Sequence, residues 1–148
     1  MIRKLTKDDV PEMVRVCRDF HGSSNLQGFT FNEESTHFIL DAIVEVDSVF
    51  AYGAYHDDVL VGGLLAEATG HPFMDMCIAK DLGFFMQKER RGAIDAKRLL
   101  TKFKSWCAEK SVDVTQITVD AGISNDRTCQ FLGHMGYVDT GNLMTIGV

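Results

Sequence analysis

The apolar pattern of the chain changes period several times, and each change marks an element. "MIRKL" alternates briefly and predicts a short opening strand. In "TKDDVPEMVRVCRDF", Val10, Met13, Val14 and Cys17 fall at i, i+3, i+4 and i+7, which is one face of a helix. Pro11 is tolerated only in a first turn, so this helix is expected to begin at Asp8 or Asp9, with Glu12 completing an Asp-x-x-Glu capping arrangement. "HGSSNLQGFT" is a polar loop, and "NEESTHFILDAIVEV" predicts a second helix with Phe38, Ile39, Ala42, Ile43 and Val46 on one side. "SVFAYGAYHDDVLVGGLLAEA" predicts two strands joined at His56, Asp57 and Asp58. "GHPFMDM" breaks the pattern and "CIAKDLGFFMQ" resumes it as a strand, in which Gly83 suggests a bulge.

The best defined helix comes next. Leu99, Leu100, Phe103, Trp106 and Cys107 form its apolar stripe, while Lys97, Arg98, Thr101, Lys102, Lys104 and Ser105 face away. "VDVTQITV" predicts a strand, "NDRTCQFLGHMGY" a short helix capped by Asn125 or Asp126, and "YVDT" and "LMTIGV" closing strands. The order β-α-α-β-β-β-α-β-α-β-β joins hairpins to one strand-helix-strand crossover. It fits an α/β sheet of six to seven strands, antiparallel at first and parallel across the crossover.

Length and charge narrow the picture. With 148 residues, 45% of them hydrophobic, residues 1–148 are expected to form a single domain with a substantial core. The apolar runs are too short for a bilayer span and "MIRKLTKDDVPEM" offers no signal-peptide stretch, so a cytoplasmic protein without a membrane partner is expected. Cys17, Cys77, Cys107 and Cys129 stand 60, 30 and 22 positions apart, without CxxC spacing, and read as reduced thiols. A net charge of −6 argues against nucleic acid as a partner. Yet Lys88 to Lys104 holds seven basic residues against Glu89 and Asp95. One positive segment in an acidic chain suits a small polyanion.

That segment begins with "FFMQKERRGAIDAKRLL", residues 84 to 100, where an apolar strand end passes through a charged turn into a helix. The arrangement resembles the GNAT superfamily of N-acetyltransferases, and its small bacteriophage-type members in particular. Those proteins carry a strand ending in an apolar pair, an "hPEhRG" turn and a helix with paired leucines. "NDRTCQFLGHMGY", "HPF" at 71 to 73 and "AKD" at 79 to 81 are also similar to that pattern. The resemblance implies a GNAT-like, mixed, mostly antiparallel sheet flanked by about four helices, and acetyl-CoA as co-substrate.

The family's phosphate signature, Arg/Gln-x-x-Gly-x-Gly/Ala, falls on Arg91, Gly92, Ala93, Ile94, Asp95 and Ala96. These residues would present backbone N–H groups to the coenzyme pyrophosphate, at a helix N-terminus that favours anions. Phe85, Met86 and Gln87 would run beside the pantetheine arm, and Asn125 opens the second family segment. Ile94 replaces the central glycine, and Asp95 would repel phosphate if its carboxylate turned inward.

Acetyl transfer to an amine needs a base for the amine and a proton donor for the departing thiolate. Asp81 is the leading candidate base and Glu67, on the preceding strand, the alternative. The resemblance places the family's tyrosine proton donor at Leu132. No residue cluster has metal-ligand spacing, so no metal is expected. Two functions follow. One is an acetyl-CoA-dependent N-acetyltransferase acting directly on a small-molecule or protein amine. The other is a non-catalytic GNAT-like binding or virion structural protein that has lost the general acid. A phage protein would act in the host cytoplasm, and a homodimer is compatible with the scaffold.

Overall fold

The computed structural model describes residues 1–91 and 94–147. Asp57 and Asp58 take positive φ, 49° and 61°, the two left-handed conformations that a type I′ hairpin requires and that aspartate tolerates. They join β2 (Val49–His56) to β3 (Val59–Gly70). β1 (Ile2–Lys4) pairs with β2, and β4 (Cys77–Met86) with β3, all antiparallel. The crossover helix α3 (Ile94–Glu109) then carries the chain to β5 (Val114–Gln116), which lies parallel to β4. The sheet order is β1-β2-β3-β4-β5.

Helices cover both faces of this sheet. α1 (Val10–His21) and α2 (Glu33–Ile43) bury Met13, Val14, Cys17 and Leu40 against Ala51, Leu60 and Leu65. α3 and α4 (Asn125–His134) bury Leu99, Leu100, Phe103 and Leu132 against Phe50, Leu64 and Ala66. The whole expected stripe of α3 is buried and its six expected outer residues are exposed. Each fully buried leucine or phenylalanine there contributes about 1.5–3 kcal/mol through burial. The glycine pair Gly62-Gly63 permits close packing. A Cβ on Gly62 would stand 2.7 Å from the Phe85 carbonyl oxygen, and one on Gly63 2.8 Å from Met13 Cε.

Three expectations change. The described sheet has five strands, not six to seven, because residues 138–147 form no ladder. The alternation in "YVDT" and "LMTIGV" marks strand-like side chains, but a strand also needs an edge, and β5 is only three residues long. Second, α2 docks through Leu40 and the following Val44, leaving Phe38 73% and Ile39 52% exposed. Apolar residues wrap too much of its circumference for periodicity to choose the inner row. Third, Asp9 and Glu12 do not form a capping pair. Glu12 binds Arg15 at 3.0 Å, and Asp9 reaches back toward the chain start.

Asp9 accepts two hydrogen bonds from Arg3 (2.7 and 2.8 Å), one from Tyr55 Oη (2.8 Å) and two from Thr6, through its N–H (2.9 Å) and Oγ1 (3.0 Å). The Arg3 guanidinium, helped by the Thr6 and Tyr55 bonds, holds the carboxyl well below the usual range. This ties β1, β2 and the α1 entrance together. A depressed folded pKa gives stability that is present above the unfolded carboxyl pKa, about 3.9, and is lost as pH falls through the folded value. Asp9→Ala is expected to cost about 2–3 kcal/mol at neutral pH, or roughly 4–12 °C in Tm. Melts of parent and variant should converge as pH drops below about 4.

Candidate active site

The site begins where one strand pairing stops. β4 and β5 pair at Ile78↔Val114, Ala79↔Thr115 and Lys80↔Gln116, and no further. β4 continues against β3, but Leu82 is unmatched between the pairs Ala66↔Asp81 and Leu65↔Gly83. This is the bulge that Gly83 suggested, one residue earlier. A bulge bends its strand and increases its twist. The outer edge of β4 beyond Asp81 therefore has no strand partner among the described residues, and a fork opens between β4 and residues 117–121. The Gln87 N–H donates to the Val61 carbonyl at 2.9 Å. That bond makes Gly62↔Met86 a non-hydrogen-bonded pair, so the Met86 N–H and C=O face the open edge while those of Phe85 face β3.

Asp81 stands at the base of the fork. Its Oδ1 accepts the Thr118 N–H at 2.8 Å and the Thr118 hydroxyl at 3.0 Å. Burial pushes its pKa up, the two Thr118 bonds oppose that shift, and neighbouring Asp120 adds to it. A half-buried carboxyl raised toward neutrality suits proton acceptance. Glu67 is exposed and lies elsewhere: it pairs with Lys80, one residue from the Ala66↔Asp81 pair, so the two carboxylates project from opposite faces of the sheet. The structure does not bring them together.

Above the fork lies the positive segment. Gln87 leads into a tight turn, Lys88–Arg90. Arg91 Nε donates to the Met86 carbonyl at 3.2 Å, and its guanidinium carbon sits 5.9 Å from the Phe20 ring centroid. Phe20 in turn meets Phe85 edge-on at 5.2 Å. Arg91 is thus braced across the end of β4. Gly92 and Ala93 lie outside the described residues. Ile94 is exposed, whereas Asp95 is buried with its carboxylate 3.6 Å from Arg98, and Ala96 packs in the core. Among the described residues, Arg98 is the sole member of the seven-residue basic set in an ion pair. Asn125, the first residue of α4, is exposed.

The α1–α2 loop closes the open end. Asn25 N–H donates to Ala121 C=O at 2.8 Å, and its Nδ2 to Asp120 C=O at 3.1 Å. Gly122, with φ 70°, leaves room for the Asn25 Cβ, which a side chain there would meet at 2.9 Å. Sequence reasoning missed Thr118 and Asn25, since each acts on a partner dozens of residues away and neither sits in a motif. Surface depressions lie along α2, between Asn32 and Asp41, and beside Arg3 and Asp9, away from the fork. The fork has the stronger claim, because it joins a free strand edge to a perturbed carboxyl. No described cluster of His, Cys, Asp or Glu could hold a metal, and no described helix is long and apolar enough to cross a membrane.

No protein-family model and no curated protein sequence matches the chain. Solved structures do. An aminoglycoside acetyltransferase from an uncultured soil metagenomic sample aligns with TM-score 0.75 at 18% identity, over 100% of this chain and 97% of its own. A ribosomal-protein-alanine N-acetyltransferase from Brucella melitensis biovar Abortus 2308 gives 0.73 at 16%, over 100% and 98%. A transcriptional regulator from Bacillus halodurans C-125 gives 0.80 at 16%, over 100% and 99%. The fold is therefore the mixed α/β fold of GNAT-type acetyltransferases.

The raised pKa of Asp81 generates a prediction. Stability linked to it is fully present below the unfolded carboxyl pKa and is lost as pH rises through the higher folded value. An asparagine at this position can still accept both Thr118 bonds and carries no charge to desolvate. Asp81→Asn is expected to leave Tm at pH ~7 unchanged or raised, with its advantage over the parent shrinking as the solution is acidified. Thermal melts of both proteins across mildly acidic pH check this, and a large loss of Tm at neutral pH would assign Asp81 a structural role instead.

Proposed function

We propose that this chain is an acetyl-CoA-dependent N-acetyltransferase that passes acetyl directly to the amine of a small molecule or a protein. The observation that carries the reading is the fork itself: a bulge frees the edge of β4 beside a half-buried carboxyl, and a basic turn follows at once. The residues fit such a donor. The outward N–H of Met86 can donate to an amide carbonyl of an extended arm, as a peptide adds to a sheet edge, while Arg91 holds the Met86 carbonyl. Phe85 and Gln87 hold that edge in register against β3. Lys88, Arg90 and Arg91 supply positive charge, and the start of α3 at Ile94 supplies a helix N-terminus, for phosphates. The thioester, once bound, supplies an activated acetyl group.

Asp81 then takes a proton from the incoming ammonium, and Thr118 orients the carboxyl for it. Glu67, on the opposite face, takes no part at this carboxyl. The acceptor enters an acidic protein of net charge −6, past Asp120 and the loop that Asn25 anchors, which favours a cationic amine. Structural neighbours named as aminoglycoside acetyltransferases, one of them in complex with sisomicin, and as a ribosomal-protein-alanine N-acetyltransferase support both acceptor classes. One observation favours a non-catalytic binding protein: Leu132, where the family resemblance expects a tyrosine, is 5% exposed and packed in the core.

Thermal melts with acetyl-CoA, with CoA and with sulfate at equal concentration test the reading. At a hundredfold excess over Kd, binding adds about 2.7 kcal/mol, a shift of roughly 5–10 °C. Arg91→Ala should weaken affinity about tenfold or more, by removing a charge and unbracing the β4 edge. Calorimetric titration at two salt concentrations would show the loss to be larger at low salt. No shift with either coenzyme would overturn the enzyme reading.

A further inference from the structure

The outer face of α2 carries an apolar row that the described residues leave uncovered. Phe38 is 73%, Ile39 52% and Val46 42% exposed, and with exposed Ala42 they share one side of the helix and its following turn. Glu34, Asp41 and Glu45 border the row along one flank. The element behind it is firmly held. Leu40 and Val44 are buried in the α1-side core, Asn32 caps the helix by accepting the Ser35 N–H at 2.9 Å, Glu33 pairs with Arg18, and Asp41 lies 3.7 Å from Lys7. Glu34 and Glu45 are in no ion pair among the described residues. Single exposed apolar side chains are ordinary, whereas a contiguous row rimmed by charge marks a contact surface.

Charge selects what that surface accepts. Between Arg18 and Lys80 the chain has ten acids and neither lysine nor arginine. A face of one sign repels nucleic acid, anionic lipid headgroups and the same face of a second copy. The exposed row of α3, with Lys97, Lys102 and Lys104, would bring opposite charge from a second copy but no apolar side chains to lay on Phe38 and Ile39. We propose that the outer face of α2 is a docking surface for an amphipathic helix of a partner protein, with an apolar row bordered by lysine or arginine. That helix lays its apolar row along Phe38, Ile39, Ala42 and Val46, as helices seat on complementary apolar surfaces, and its cations meet Glu34 and Glu45. α2 packs on the α1 side of the sheet, whereas Ala66, the direct partner of Asp81, belongs to the α3-side core. Docking on α2 therefore does not rest on the acetyltransferase reading.

The probe is a fluorescently labelled leucine–lysine peptide of about five helical turns, with its leucines on one face. A scrambled peptide of the same composition is the control. Fluorescence anisotropy should show saturable binding of the facial peptide to the parent, weakened by salt, and little binding of the scrambled one. The double variant Phe38→Ser/Ile39→Ser should raise Kd about tenfold or more. Glu34→Gln/Glu45→Gln should raise it at low salt and converge with the parent at high salt. Both variants should melt with the parent, because the altered side chains are exposed. No binding to the parent, equal binding of the scrambled peptide, or an unchanged Kd in the serine variant overturns the proposal. A concentration-dependent dimer of the parent that the serine variant lacks, read by sedimentation, assigns the face to a second copy and overturns it as well.

Discussion

The structure turns on the pairing of β4, which cannot keep both neighbours in register over its full length. β3 follows it to Met86, while β5 follows only to Lys80. Where the ladder with β5 stops, the next outward N–H on that side would be left to water. Asp81 prevents this by accepting the Thr118 N–H with its side chain, in place of a backbone carbonyl. The same carboxylate thus terminates the ladder and marks the point from which the strands diverge. A strand-terminating group and a chemically poised one are here a single residue, which explains why the carboxyl is partly desolvated and still hydrogen-bonded.

Charge is organised around that divergence. The basic residues of the β4–α3 connection gather at one end of the fork, and Asp81 and Asp120 lie at its base. Basic and acidic groups therefore stand apart along the fork. Buried Asp95 fits this division. Its carboxylate lies beside Arg98 rather than in solvent, so a negative charge in the first turn of α3 is partly neutralised within the helix surface.

Much of the fold was legible because local chemistry agreed with tertiary need. Asp57-Asp58 specifies its own turn, the α3 stripe has one apolar row and one charged row, and Gly83 sits beside the bulge. The misreadings have a common cause. α2 carries apolar residues on more than one row, and only its docking on α1 selects Leu40 over Phe38. Asp9 can cap a helix locally, but Arg3 and Tyr55 offer it stronger partners that sequence spacing does not reveal. The final segment alternates like strands and lacks an edge to join. At the site, the β4-to-α3 motif was readable as a motif, whereas Thr118 and Asn25 depend on contacts between elements far apart in the chain.

The bulge also decides which side chains share a face of the sheet beside the fork. In an uninterrupted strand, Asp81, Gly83 and Phe85 would project from the same side. The extra residue at Leu82 inverts the parity beyond it. Phe84 and Met86 pack with the α3-side core that holds Ala66, the partner of Asp81, while Phe85 turns to the α1 side and meets Phe20. One aromatic of the pair therefore seals each face, and the Met86 backbone is left pointing along the sheet plane into the fork. Without the inversion, Phe85 would lie on the face of Asp81, and Arg91 would lose the Phe20–Phe85 contact it braces. A single unmatched residue thus sets the strand edge, the aromatic packing and the face from which the Asp81 carboxyl projects.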